Sequence, residues 1–173
     1  MKGTYTLILF CKEPFRTQIG SLGHVSVGKG HYLYTGSALG NGSVSLEGRL
    51  NRHLRVSKKV SWHIDYLTSD PRCRIKAIVC LKSGRRLECV INQEIVSKLA
   101  AKPVTMHAGA SDCKCDGHLT RVGLSLGARE ITATMANMYR RFGRAVYCMQ
   151  LANHAHKAAS SLRLVRVTEA EIS

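Results

Sequence analysis

Apolar positions run without a break from Thr4 to Cys11, the pattern of a central strand buried on both faces. After a turn over Gly20–Gly23, His24-Val25-Ser26-Val27 alternates as a second strand, and Gly28-Lys29-Gly30 turns the chain again. Tyr32-Leu33-Tyr34-Thr35 then reads as a strand that gives way to small residues, Gly36-Ser37-Ala38. The period changes beyond them. Leu46, Leu50 and Leu54 recur every four residues, so a helix is expected there, with Ser45 as its N-cap. Arg49, Arg52 and His53 fall on one face beside that stripe.

Trp62-His63-Ile64-Asp65-Tyr66-Leu67 has two readings: a helical turn that packs Trp62, Ile64 and Leu67, or a His/Asp pair that binds metal or holds a phosphate-facing loop. Arg74 to Leu81 alternates as a strand, bounded by Asp70-Pro71 and Lys82-Ser83-Gly84. Leu87, Ile91, Ile95 and Leu99 mark a helix over residues 87–101, closed by Pro103. Val104 to Ala108 is expected to be a short strand. Residues 128–141 and 145–160 read as helices, and 162–167 alternates like a strand.

Charge adds a partner class to this picture. The chain of 173 residues carries 26 Lys+Arg against 11 Asp+Glu, a formal net charge of +15. Such a surplus favours a polyanion, most simply nucleic acid. It concentrates in Arg49, Arg52, Arg55, Lys58 and Lys59, with no acid between Glu47 and Asp65, and again from Arg72 to Arg86. Few aromatics accompany these charges, which argues against a base-stacking platform for single strands. No apolar run reaches spanning length and no leader-like segment opens the chain, so a cytoplasmic location without membrane contact is expected. Seven cysteines, an odd number, argue against a disulfide scaffold; Cys11 and Cys80 read as small buried hydrophobes.

Gly3-Thr4-Tyr5, Tyr34-Thr35-Gly36-Ser37 and then Arg49, Arg52 and His53 together resemble the GIY-YIG nuclease superfamily. Trp62–Leu67 and Gly109–Cys115 with His118-Leu119 are similar to a GIY-YIG-like subgroup, found mainly in archaea and bacteria and described as a domain of unknown function. The resemblance spans about residues 1–122 and implies an α/β (α+β) fold, a small and mostly antiparallel sheet flanked by helices. It divides the chain into a catalytic domain, 1–123, and a basic, mainly helical C-terminal extension, 124–173. Residues 6–33 separate the two tripeptides, more than in compact members, and are expected to insert a hairpin in the same sheet.

The resemblance further implies a metal-dependent endonuclease acting on DNA, structure-selective and linked to repair or processing. Mg²⁺ or Mn²⁺ would be held by a glutamate on the later helix, Glu88 by the local Glu88-Cys89 match, with Glu94 in reserve. Arg49 would neutralise phosphoryl charge, and Tyr5, Tyr34 or His53 would move protons. Gly36, Ser37, Arg52, Arg55, Lys58 and Lys59 would contact the nucleic acid, DNA rather than RNA, with a homodimer or a repair protein as further partners. The alternative is a nucleic-acid-binding module that kept the fold without cutting. Cys113, Cys115 and His118 could supply three ligands to Zn²⁺, with Cys89, Cys73 or His107 as the fourth, although the spacing departs from zinc-finger spacing. Free thiols in a tight loop, and a metal or thiol sensor, are the competing readings of that stretch.

Overall fold

The computed structural model describes residues 1–151 other than Val56, together with the backbone of Val165–Arg166. Strand β1 (Gly3–Cys11) lies at the middle of the sheet. Tyr5, Leu7, Leu9 and Cys11 enter one core cluster and Ile8 the other, which is why the segment reads as an unbroken apolar run. The chain continues through β2 (Phe15–Gln18), β3 (His24–Val27), β4 (Gly30–Ala38) and β5 (Cys73–Lys82). Later come β6 (Lys102–Pro103), β7 (Leu119–Arg121), β8 (Val146–Gln150) and β9 (Val165–Arg166). Seven of them form one sheet in the order β6-β7-β4-β1-β5-β8-β9, antiparallel throughout.

Among the described residues four α-helices, α1 (Leu46–Leu54), α2 (Asp65–Thr68), α3 (Glu88–Lys98) and α4 (Ala128–Arg140), cover the two faces. Helices α1 and α2 pack Leu46, Leu50, Leu54 and Leu67 on the Tyr5 side, while α3 and α4 pack Ile91, Ile95, Ile131 and Met135 on the Ile8 side. The expected mixed fold, an antiparallel sheet flanked by helices, is the observed one. Ser45 caps α1, its Oγ accepting from Gly48 N at 3.2 Å. Leu46 and Leu50 are fully buried, and each contributes about 2 kcal/mol of transfer free energy to holding α1 on the sheet.

Four expectations need correction. The hairpin β2/β3 is a separate two-stranded ribbon. Both edges of β1 are already bonded, to β4 and β5, so the inserted residues fold over the face and bury Phe15, Val25 and Val27 there. Val104–Ala108 is not a strand. His107 (φ 61°) and Gly109 (φ 75°) take left-handed conformations that break an extended run, and Leu119–Arg121 takes the place beside β4. Within the stretch expected to be helical from residue 145, Val146–Gln150 is a strand, drawn onto the edge of β5. Residues 152–160 of that expected helix lie outside the described residues, as do those around the Val165–Arg166 strand. Finally, Cys11 is buried but not a free thiol: the β1–β5 register sets it opposite Cys73, at a Cα separation of 4.1 Å, and the two are disulfide-bonded. Cys80 is a buried free thiol as expected.

Candidate active site and cysteine cluster

Strand β4 ends at a cleft of about 350 Å³ whose lining includes Tyr34, Gly36, Ser37, Arg49, Glu88, Asp112 and His118. Three elements far apart in sequence meet there. β4 brings the phenol and the small residues, α1 brings Arg49, and the first turn of α3 brings Glu88. Of the expected catalytic residues, Tyr34, Arg49 and Glu88 therefore share one cleft. Glu94 is elsewhere on α3, paired with Arg141 at 2.7 Å.

Tyr5 and His53 lie beneath this floor. Tyr5 is fully buried, and its hydroxyl meets His53 Nε2 at 2.8 Å. Gly36 makes the arrangement fit, because a Cβ there would stand 2.8 Å from the Tyr5 hydroxyl. Burial raises the Tyr5 phenol well above its ordinary value, a direction reinforced by Tyr34 and opposed by the Arg49 charge. Tyr34 is pushed up to about 12, again by burial first, with Arg49 acting against it. Both phenols therefore stay protonated at neutral pH and are able to donate a hydrogen bond. Burial likewise pushes His53 down to about 3, so it is a neutral ring. Its Nδ1 is buried without a hydrogen-bond partner among the described residues.

Arg52 does not reach into the cleft; it is held in a fork by Asp65, at 2.8 Å (Nη1–Oδ1) and 2.7 Å (Nη2–Oδ2). Asp65 Oδ2 also accepts from the Ser61 and Trp62 backbone N–H groups at 3.0 and 2.9 Å. The Arg52 guanidinium lies 3.8 Å above the Trp62 ring and that of Arg49 5.2 Å from the same ring. Burial pushes Asp65 up, but the Arg52 bonds and the two N–H groups outweigh it and leave the carboxyl below its ordinary range. The side chain of Lys58 is 3% exposed and donates to the His53 carbonyl at 2.8 Å, so it braces the end of α1. Arg55 and Lys59 remain exposed. His63 also has a structural partner: its Nδ1 accepts from Gly109 N at 3.0 Å, tying the 61–67 segment to the 109–118 loop.

The opposite wall is organised by Arg86, which the sequence offered only as one of many cations. Its guanidinium donates to Glu88 and to Asp112, while Ser37 Oγ donates to the other Glu88 oxygen. Burial raises Glu88, but the Ser37 and Arg86 bonds prevail and hold it below the usual carboxylate range, hence ionised. Gly109 sits at φ 75° with a would-be Cβ 2.8 Å from the Tyr34 ring, so this loop closes on the phenol only as glycine.

Directly behind that wall, Cys89, Cys113, Cys115 and His118 bring their ligand atoms within 4.8 Å of one another. Of the three residues considered as a fourth ligand, Cys89 is the one beside the loop. Cys73 is in the disulfide, and His107 bonds the Cys115 carbonyl at 3.3 Å. No helix among the described residues is long and apolar enough to cross a membrane.

A family model described as domain of unknown function DUF123 matches residues 4–143, and the chain belongs to that family. No curated protein and no solved structure matches the chain.

Proposed function

We propose that this member of the DUF123 family is a divalent-metal-dependent endonuclease of the GIY-YIG type. It would hydrolyse DNA phosphodiesters by structure rather than sequence, in repair or processing. The observation that carries the reading is the convergence of Tyr34, Arg49 and Glu88 on one cleft from three separate elements. The buried, ionised Glu88 carboxylate, with Asp112 across Arg86, is the oxygen donor set that Mg²⁺ or Mn²⁺ takes. Such an ion would polarise the phosphate and stabilise the leaving oxygen.

The chain's own groups do the rest. Arg49 neutralises charge on the phosphoryl oxygens, and Trp62 beneath it fixes the guanidinium. Tyr34, kept protonated by burial, donates a hydrogen bond that orients a phosphate oxygen or the attacking water. Tyr5 and His53 position Tyr34 and Gly36 from below. Cleft groups able to take the water's proton at neutral pH are the Glu88 and Asp112 carboxylates and the neutral His118 ring, which burial lowers. The +15 net charge favours binding to a phosphate backbone, and backbone contacts carry no sequence information directly.

One observation favours a second reading. Arg86 occupies the Glu88 carboxylate with its own positive charge, as in a site closed to cations. A nucleic-acid-binding module without cleavage would keep that pair. The test is cleavage of labelled duplex, forked and nicked DNA with Mg²⁺ or Mn²⁺, comparing wild type, Glu88→Ala and Glu94→Ala. Metal-dependent cutting lost in Glu88→Ala alone supports the nuclease. Salt-sensitive binding with no cutting of any substrate replaces it with the binding module.

A further inference from the structure

We propose that Cys89, Cys113, Cys115 and His118 form a structural Zn²⁺ site that locks the 109–118 loop onto the first turn of α3. Zinc binding there does not require the proposed cleavage activity. The four ligand atoms already lie within 4.8 Å of one another. Cys113 Sγ and His118 Nε2 are 3.6 Å apart. A tetrahedral ion with Zn–S of about 2.3 Å and Zn–N of about 2.0 Å spans an edge of about 3.5 Å between such atoms. The cluster is one small adjustment from closing on a single ion.

Ligand chemistry selects the metal. Three thiolates and an imidazole suit Zn²⁺, whereas Mg²⁺ and Mn²⁺ prefer carboxylate and water oxygens. Four protein ligands leave no open position, which marks the site as structural rather than catalytic.

The loop also needs such a device. Ser111, Asp112, Lys114 and Asp116 are exposed, so this stretch has little apolar surface with which to anchor itself. Its ends are tied, at Gly109 by His63 and at Gly117 by Asn92, whose Nδ2 donates to the Gly117 carbonyl at 2.8 Å. Between those ties the cysteines converge on α3. The three thiols are half-buried rather than packed into the core as Cys80 is, which a purely hydrophobic role does not explain.

Two consequences follow for the cleft. Cys89 is next in sequence to Glu88, and Cys113 to Asp112, so the ion would set the positions of both carboxylates. It would also take His118 out of proton transfer, leaving that role to Asp112 or Glu88.

The experiment is elemental analysis of the full chain after desalting, with Co²⁺ exchange followed by visible spectroscopy. The result expected is about one zinc per chain and, with cobalt, the intense d–d and thiolate charge-transfer bands of a tetrahedral site. Cys113→Ser and Cys115→Ser should each lose zinc by about tenfold or more, while His107→Ala, just outside the cluster, keeps it. If the variants do not fold, competition for Zn²⁺ between wild-type protein and a chromophoric chelator reads the same site. Zinc near zero after expression in zinc-supplemented medium, with no cobalt bands and all of these thiols titrating freely, would overturn the proposal. So would a Cys113–Cys115 disulfide in the purified chain, or zinc retained when both cysteines are serine.

Discussion

On the α1 side of the cleft, one carboxylate organises everything. Asp65 holds both ends of Arg52 and two backbone N–H groups, and Arg52 and Arg49 lie over Trp62. On the α3 side, two carboxylates share one arginine, and behind them four soft ligands point at a common centre. The first wall satisfies Arg52 and Lys58 from within the protein and leaves Arg49 lining the cleft. The second gathers groups whose natural complement is a cation. On the proposed reading the first wall supplies rigidity and the second the metal site, and variants can break either half of that reading.

The largest stability effect should follow from removing the organiser. Asp65→Ala strands Arg52 and the nearly buried Lys58, and breaking a buried pair costs about 3–5 kcal/mol, lowered here to about 2–3 by the partial exposure of Arg52. Urea unfolding reads this directly. A loss below half a kcal/mol would mean that the α1 wall is not held as described.

A smaller effect is pH-dependent. His53 is neutral when folded, lowered to about 3, while the unfolded chain takes up a proton near the ordinary imidazole value of about 6.5. Its contribution is thus complete above about pH 6.5 and is lost as pH falls from there toward the folded value, at a limiting slope of about 1.4 kcal/mol per pH unit. The Asp65 contribution fades only at lower pH, below the ordinary carboxylate range, because its folded value is depressed. Between pH 6.5 and 5, His53→Gln should therefore flatten the stability profile by about 1–2 kcal/mol relative to wild type. Parallel profiles for the two proteins would show that His53 titrates normally.

The smallest effects belong to the exposed cations that flank the walls. Arg55→Ala and Lys59→Ala should leave stability unchanged and each reduce the salt slope of DNA binding by about 0.9, the value of one phosphate contact. Lys58→Ala should do the reverse, lowering stability with little change in slope, because its ammonium is turned inward.

Much of the frame was legible because it rests on periodicity. The unbroken run of β1, the leucine stripe of α1 with its Ser45 cap, and the Leu87–Leu99 stripe of α3 all follow local patterns that the fold keeps. The nearness of Tyr34 and Arg49 followed from the strand, turn and helix in succession, whereas Glu88 was legible only through the family resemblance. What failed was decided by partners distant in sequence. The disulfide depends on the β1–β5 register, and β8 on the edge that β5 offers. Burial also keeps Tyr5 and His53 neutral, which the motif does not show. Arg52 on the basic helix and Lys58 after it read as phosphate contacts, but Arg52 is forked by Asp65 and Lys58 donates to the His53 carbonyl. Arg86 carried no signal of its own, being one arginine among neighbours until the fold set it between two carboxylates.

The most direct test of the account is single-turnover cleavage by Arg49→Ala, with DNA affinity measured in parallel. Arg49 is the cleft cation proposed to act as an oxyanion-hole-type donor, and its buried Nε has no hydrogen-bond partner among the described residues. The predicted result is affinity within a few-fold of wild type and cleavage slowed by about 10²–10³. Cleavage at the wild-type rate by Arg49→Ala would contradict the assignment of this cleft as the active site.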